Sequence, residues 1–352
     1  MSPARWPVAV LGATGAVGQT FVRLLADHPW FRLAEVAASE RSAGRRYAEA
    51  AHWLEGALPP ETAELEVLPC DPSAVRSRIV FSALDASVAG EVEPAFARAG
   101  TFVFSNAKNH RMDPDVPLVT AEVNASHLEI LDAQRANRGW PGAIVTNANC
   151  SAIGAVLPLA ALQQAFGLRR VFVFTMQAVS GAGYPGVASL DILGNVIPHI
   201  GGEEPKIEQE LPKMLGRVAG GRIEPAAFGV SAHANRVPVA NGHTVCMTVE
   251  LETRASAEDC ARVMAEWEGD SSARRLPSSP ERPIIVDPRP DRPQPRRDAG
   301  LDRGMAVTVG RVRPDTILDV RFVALSHNTI RGAAGASLLN AEVLSERGAF
   351  GP

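Results

Sequence analysis

Apolar and polar positions in the first 150 residues of this 352-residue chain form short β-branched runs separated by helical stretches. Val8–Leu11, Leu33–Ala38, Glu66–Leu68, Ile79–Phe81, Thr101–Phe104, Leu118–Val119 and Ile144–Val145 read as strands. Ala16–Asp27 and Val92–Ala99 read as helices between them. Strands that take turns with helices imply βαβ units and a parallel sheet covered on both faces, so the expected class is α/β.

After Cys150 the pattern changes. Ala152–Phe166 reads as one apolar helix, and Pro158 inside it predicts a kink or a first-turn irregularity. Val171–Gln177, Thr244–Glu252, Met305–Val309 and Ile317–Ala324 read as strands of a second, mixed sheet, with an amphipathic helix at Ala257–Glu268. Residues 271–298, rich in Pro, Arg, Ser and Asp, read as a long loop around a short strand, Ile284–Val286. A loop of that length suits a segment reaching across a subunit interface or a mobile surface excursion. An Ala-rich helix, Gly332–Ser345, closes the chain, and no internal repeat is visible. The length and the change of pattern divide the chain into residues 1–149 and 150–327, with 328–352 returning to complete the first domain.

Hydrophobic residues make up 46% of the chain, enough for full cores. A formal net charge of −4 and the lack of a basic stripe with interleaved aromatics argue against a nucleic-acid partner. The basic clusters at Arg41–Arg46 and Arg289–Arg297 read as solvated loops, although the first could serve a phosphate. No run approaches the roughly 18 apolar residues of a membrane span. Met1 to Trp6 lead into a strand without the apolar core of a signal peptide. Cys70, Cys150, Cys246 and Cys260 show neither metal-site spacing nor a disulfide framework, so reduced thiols in a cytoplasmic enzyme without a metal are expected.

Chemistry enters at two places. Val8–Leu11 runs into Gly12-Ala13-Thr14-Gly15-Ala16-Val17-Gly18, a strand, a glycine turn and a helix start. The first glycine permits the turn, the second lets backbone approach a pyrophosphate, and the third packs helix on strand. In the first βα turn of a βαβ unit this spacing implies a bound dinucleotide. At the end of the second strand, Ser39, Arg41 and Ser42 offer hydroxyls and a cation suited to the 2′-phosphate of NADP, while Glu40 points the other way. The second place is Thr146-Asn147-Ala148-Asn149-Cys150-Ser151, between a strand and a helix. Backbone N–H groups and the helix dipole at a helix start lower a thiol pKa, so Cys150 reads as a nucleophile; a buried inert thiol is the plain alternative.

With both segments in view, the chain resembles aspartate-β-semialdehyde dehydrogenase in its archaeal and fungal-like branch. The resemblance runs from Gly12 to Gly335 through Ser39–Gly44, Ser105–Arg111, the Cys150 run, Gln177–Gly183, Gly201–Lys206, Asn235–Pro238, Gly242-His243 and Asn328–Gly335. It implies a Rossmann-type N-terminal sheet with a second α+β catalytic and dimerisation domain. It also implies reversible, NADP-dependent, phosphate-requiring interconversion of β-aspartyl phosphate and aspartate β-semialdehyde through a cysteine thioester. That reaction serves lysine, methionine, threonine and diaminopimelate synthesis, in homodimers or homotetramers.

By the same resemblance Cys150 attacks the carbonyl, His243 accepts the thiol proton, and Gln177 orients substrate or water. Arg236 takes the α-carboxylate as a two-pronged guanidinium does, and Glu204 pairs with the α-ammonium. Arg111 and Lys206 receive phosphate. Ser180 and Gly181 offer donors near the cofactor, and Asn328 contacts the nicotinamide amide. Taken singly, Glu204 and Lys206 also read as a surface ion pair and Arg111 as a loop arginine.

One departure is visible: the family commonly has proline where this chain has Ala148, which loosens the loop before the nucleophile. Two other readings compete. A malonyl-CoA reductase of the same fold would have no need of an ammonium partner. A catalytically silent NADP-binding redox sensor would have no need of Cys150, His243, Arg236 and Arg111 together.

Overall fold

Successive side chains on a strand point to opposite faces, and the first sheet buries both. The computed structural model describes residues 5–351; Met1–Ala4, part of the N-terminal reading, and Pro352, the end of the closing segment, lie outside them. Seven strands, β1 (Trp6–Leu11), β2 (Phe31–Ala38), β3 (Val67–Pro69), β4 (Ile79–Ser82), β5 (Phe102–Ser105), β6 (Leu118–Val119) and β7 (Ala143–Asn147), form one sheet. Its order is β3-β2-β1-β4-β5-β7-β6, and every pairing is parallel. Val8, Val10, Phe81 and Phe104 pack on one face with the helices Ala16–Leu25 and Gly335–Glu346. Ala9, Leu11, Val80 and Val103 pack on the other against Phe96 and Ala97 of the helix Ala86–Arg98. Burial on both faces is why these strands read as continuous apolar runs.

The second sheet is mixed. It contains β8 (Leu168–Gln177), then, beyond a separate hairpin of β9 (Arg217–Ala219) and β10 (Arg222–Glu224), β11 (Gly229–Arg236), β12 (His243–Leu251), β13 (Ile284–Asp287), β14 (Val307–Pro314) and β15 (Val320–Ser326). The order is β11-β8-β12-β15-β14-β13. One face is covered throughout, and the other is bare over β8. On β8, Val171 and Val173 are buried, whereas Phe172 and Phe174 between them are 51% and 46% exposed. The covered face packs on the helix Cys150–Phe166, buried without a break from Ser151 to Leu162. A helix buried all round needs no polar stripe. It runs unbroken through Pro158, where the sequence predicts an irregularity.

Three features go beyond the sequence reading. The helix Glu203–Met214 and the edge strand β11 have weak apolar signals; on β11 the inward positions are the small Ala232 and Ala234. The segment 271–298 is tied to the rest of the chain at several points. Ala273 and Leu276 join the first core, Ser278 donates to Glu342, and Arg292 pairs with Asp298 in a buried ion pair. The closing helix is preceded by a π-helical turn, Ile330–Ala334. Among the described residues no helix is long and apolar enough to cross a membrane.

That turn is anchored by the largest fully buried side chain, Arg331, which donates to both oxygens of buried Glu122 at 2.6 and 2.8 Å. The Glu122 carbonyl in turn accepts from Asp270 N at 2.7 Å, so three distant segments meet there. Removing one partner of a buried ion pair leaves an uncompensated charge. Glu122→Ala should therefore lower unfolding free energy by about 3–5 kcal/mol in urea titrations. A loss below about 1 kcal/mol would mean that Arg331 finds water or another acceptor.

Candidate active site

Parallel strands deliver their following loops to one edge of a sheet, and here the loops after β1, β2, β3, β4, β5 and β7 all line one cleft of about 1450 Å³. Gly12, Thr14, Gly15, Ala16 and Val17 form its first wall. Gly12 has φ +72°, and a Cβ there would sit 2.6 Å from the Ala83 carbonyl, so only glycine fits. The helix Ala16–Leu25 starts at Gly15 with no side-chain cap and no acidic residue in its first turn. Its first N–H groups are therefore free for an anion. Gly18 lies outside the cleft, its Cα packed on the Gly12–Ala13 backbone, as the third glycine of the pattern requires. Ser39, Glu40 and Arg41 line the cleft, and the backbone N–H of Ser42 closes the turn beside them by donating to Ser39 O. These residues fit a dinucleotide with a phosphorylated ribose.

Cys150 opens the first turn of its helix at the far end of the cleft. Asn149 caps that helix by accepting from Ser151 N and Ala152 N at 3.0 and 3.3 Å. Two carboxylates hold Asn149 from outside. Glu203 accepts from its Nδ2 at 2.8 Å, and Glu210 accepts from its backbone N–H at 2.5 Å. Glu210 also accepts from Arg111 Nη1 at 2.9 Å, and Arg111 donates further to Asn106 O at 2.7 Å. The loop carrying Arg111 is clamped by Lys213, whose ammonium donates to the carbonyls of Arg111, Asp113 and Val116. Burial pushes Lys213 down to about 8.

The acid beside Cys150 is Glu203. Its Oε1 accepts from Lys206 at 2.6 Å, and its Oε2 accepts from Gln177 at 3.2 Å as well as from Asn149. Burial opposes its charge, yet Lys206 and these hydrogen bonds hold its carboxyl below the usual range. Glu204, the acid expected from the sequence, turns to β11 and accepts from Ala234 N at 3.0 Å. One step along a helix rotates a side chain about 100°, and that separates the two.

Arg236 and His243 meet at Gly181. A Cβ on Gly181 would lie 2.9 Å from Arg236 Nη1 and 3.1 Å from His243 Nε2. Arg236 donates to Ala178 O at 2.8 Å, and His243 accepts through Nδ1 from Ala178 N at 3.0 Å. With Nδ1 an acceptor, the neutral ring carries its proton on Nε2, which is buried and has no partner among the described residues. Burial, then the Arg236 charge, pushes His243 down to about 3. As held, the ring is a donor into the site, whereas the sequence reading makes it a base. Asn328 lines the cleft with both ends of its amide engaged, accepting from Gly242 N and donating to Ser180 Oγ at 2.9 Å each.

The expectation that the helix start lowers the thiol pKa is not met. Burial pushes Cys150 up to about 12 and the Glu203 charge adds to it, while Arg111, Arg236 and Lys206 pull the other way. Sequence reasoning missed Asn149, Glu203, Glu210, Lys108 and Gly332 as parts of this site. Glu203, Lys206, Glu210 and Lys213 are spaced by three, four and three residues, a charged stripe on one helix face, and that signal was readable.

Two family models match the chain: "Semialdehyde dehydrogenase, NAD binding domain" over residues 7–131 and "Semialdehyde dehydrogenase, dimerisation domain" over residues 159–331. The aspartate-semialdehyde dehydrogenase of Archaeoglobus fulgidus is 51% identical, covering 97% of this chain and 98% of the relative. That of Schizosaccharomyces pombe is 49% identical, with coverages of 97% and 98%. The crystal structure of the Candida albicans aspartate semialdehyde dehydrogenase with NADP superposes with a TM-score of 0.90 at 43% identity, covering 97% of this chain and 99% of that one. The chain belongs to the aspartate-semialdehyde dehydrogenase family.

Gly332 supplies a direct test of the packing. It faces Cys150, and a Cβ on it would lie 2.7 Å from the Cys150 Cβ. Gly332→Ala must push the nucleophile aside, and kcat should fall on the order of a hundredfold while NADP still titrates the protein's fluorescence. A kcat within about twofold of the parent would mean that the contact yields without moving the thiol.

Proposed function

We propose that Cys150 is the nucleophile of the family's reaction, the reversible, phosphate-requiring oxidation of aspartate β-semialdehyde to β-aspartyl phosphate. What carries this reading is that one carboxylate, Glu203, and three cations, Arg111, Arg236 and Lys206, all act on the Cys150 thiol at the end of a dinucleotide-shaped cleft. The substrate is a zwitterion with a reactive distal carbon, and its product carries a phosphate. One buried acid and three bases match that charge pattern. Neither a malonyl thioester, which lacks an ammonium, nor a passive redox sensor asks for the full set.

In this scheme Arg236 holds the α-carboxylate and Glu203 the α-ammonium, with Gln177 keeping the Glu203 carboxylate in place. Cys150 gives up its thiol proton to water in the open cleft, the thiolate attacks the aldehyde carbon, and His243 Nε2–H donates to the negative charge that forms on oxygen. Bound NADP supplies the acceptor for the hydride that leaves as the addition product becomes a thioester on Cys150. Arg111 and Lys206 then hold phosphate while its oxygen attacks the thioester and Cys150 departs as thiolate. Gly12–Val17, Ser39 and Arg41 are the residues suited to the cofactor's phosphates. Residues 1–149 with 328–352 act as the cofactor half, and residues 150–327 as the catalytic and dimerisation half. Four free cysteines accord with a reducing, cytoplasmic setting.

Cys150→Ala should abolish turnover while NADP binding persists; residual turnover above about one part in a thousand would rule out the covalent route. The pH profile separates the two roles of His243. With its pKa pushed down, the ring is neutral across the working range, so kcat/KM should show no ascending limb of histidine origin and should rise toward alkaline pH as the thiol ionises. An ascending limb at roughly pH 6–7 that disappears in His243→Asn would restore the ring as a base.

The uncovered face of the second sheet fits a homo-oligomer. Phe172 and Phe174 lie bare on β8, and Leu190, Leu193 and Val196 are 91%, 68% and 54% exposed in the segment that follows the Ser180 loop. We assign this face to contact between two copies, in a homodimer or a tetramer built from it. Phe174→Glu should shift sedimentation toward the monomer; an unchanged sedimentation coefficient would move the interface elsewhere.

A further inference from the structure

The helix Glu203–Met214 turns a charged stripe inward, and its third member is the one the reaction scheme above does not use. Glu203 faces the substrate ammonium in that scheme, Lys206 the phosphate, and Lys213 clamps the Arg111 loop. Glu210 touches no proposed substrate group. It is 1% exposed, and each of its oxygens is committed to a different element: Oε1 to the Arg111 guanidinium at 2.9 Å and Oε2 to the Asn149 backbone N–H at 2.5 Å. The first belongs to the loop after β5, the second to the residue that caps the Cys150 helix.

We infer that Glu210 is a positioning residue that couples occupancy of the anion site to the placement of Cys150, by sharing one carboxylate between Arg111 and the Asn149 N–H. The inference rests on Arg111 as a phosphate-binding residue. Arg111 lines the cleft, and its Nε has no partner among the described residues, so an edge of the guanidinium remains to be satisfied. A phosphate oxyanion arriving there competes with Glu210 for the same positive charge. As Arg111 turns its charge to phosphate, Glu210 is drawn to the Asn149 N–H alone. Asn149 sets the helix cap and hence where Cys150 stands. Such a link is reciprocal: whatever fixes the cap also tunes the affinity of the anion site.

Glu210→Gln separates the two halves of this role. The amide oxygen still accepts from Asn149 N–H, but the charge opposing phosphate is gone. Because Arg111 lines the cleft and keeps Asn106 O, the freed guanidinium can reach water and the fold should persist, which a melting curve checks. Steady-state kinetics of the full-length enzyme with inorganic phosphate varied should show KM for phosphate falling several-fold and kcat falling on the order of tenfold. KM for the aldehyde should stay within about twofold. Unchanged kcat and phosphate KM would overturn the inference. So would a parallel loss of kcat, all affinities and melting temperature, the mark of a merely structural carboxylate. Arg111→Lys serves as the separate control. If it leaves the phosphate KM unmoved, the anion site is not at Arg111 and the coupling is overturned together with that assignment, whereas the Cys150 chemistry still stands on Cys150→Ala.

Discussion

Asn149 is the joint on which the rest of the site hangs. Its side chain starts the Cys150 helix by satisfying two N–H groups that have no partner within the helix, its amide nitrogen reaches Glu203, and its own N–H is taken by Glu210. These bonds cross the boundary between the parallel sheet, which ends at Asn147, and the mixed sheet, whose buried face the Cys150 helix covers. Residues 147 to 150 thus carry the chain from one core to the other and place Cys150 in the wall of the cleft. A buried polar junction of this kind is costly when half satisfied and specific when complete. Here both carboxylates come from a single helix, so the helix Glu203–Met214 fixes the joint as one body.

Burial, and after it the charge of Glu203, makes the resting thiol hard to ionise. Bringing Glu203 close enough to hold Asn149 and Gln177 also brings a negative charge toward Cys150, which adds to the larger effect of burial. Arg111, Arg236 and Lys206 offset that only in part. Each of these cations is also tied up at rest: Arg111 by Glu210, Lys206 by Glu203, Arg236 by Ala178 O. The scheme therefore keeps the thiol quiet until substrate charges redistribute the pairs, which suits a nucleophile with an open cleft beside it. It also assigns His243 by geometry rather than by residue type. A ring whose Nδ1 accepts a backbone N–H cannot be protonated without setting two N–H groups against each other, so its use lies in the proton it already carries on Nε2.

Much of the fold was legible because burial and period agree. The strands of the first sheet are buried on both faces and announce themselves as apolar runs, and six loops lead from their ends to the cleft. What the sequence hid is physical as well. β11 hides because its inward positions are alanines, and Glu203–Met214 hides because the face it buries is charged. Cys150 could be read as a nucleophile only jointly with the cations and the glycine loop. The choice between Glu203 and Glu204 turns on about 100° of helix rotation, which no motif states without a fixed phase. Lys206 supplies that phase: three residues after Glu203, it shares its face and binds its carboxylate. Ala148, the departure from the family pattern, is buried in the second core beside Ala152 and lines the cleft; nothing in the structure explains why it replaces proline.

Two glycines of the site stand where a side chain would have no room, and both lie where the two halves meet. Gly332, on the π-helical turn that returns to the first domain, rests on Cys150 with no room for a methyl group. Gly181, from the loop after β8, rests on Arg236 and His243 in the same way. Asn328 then joins the two loops, donating to Ser180 and accepting from Gly242 N, while Asn147 Nδ2 donates to the Ala333 carbonyl at 3.1 Å. Glycine at both positions lets backbone lie directly against Cys150, Arg236 and His243, which a side chain there would displace. The buried Arg331–Glu122 pair anchors the returning turn at the residue next to Gly332. An ion pair more than 200 residues apart in sequence thereby lies one residue from the glycine that packs on Cys150.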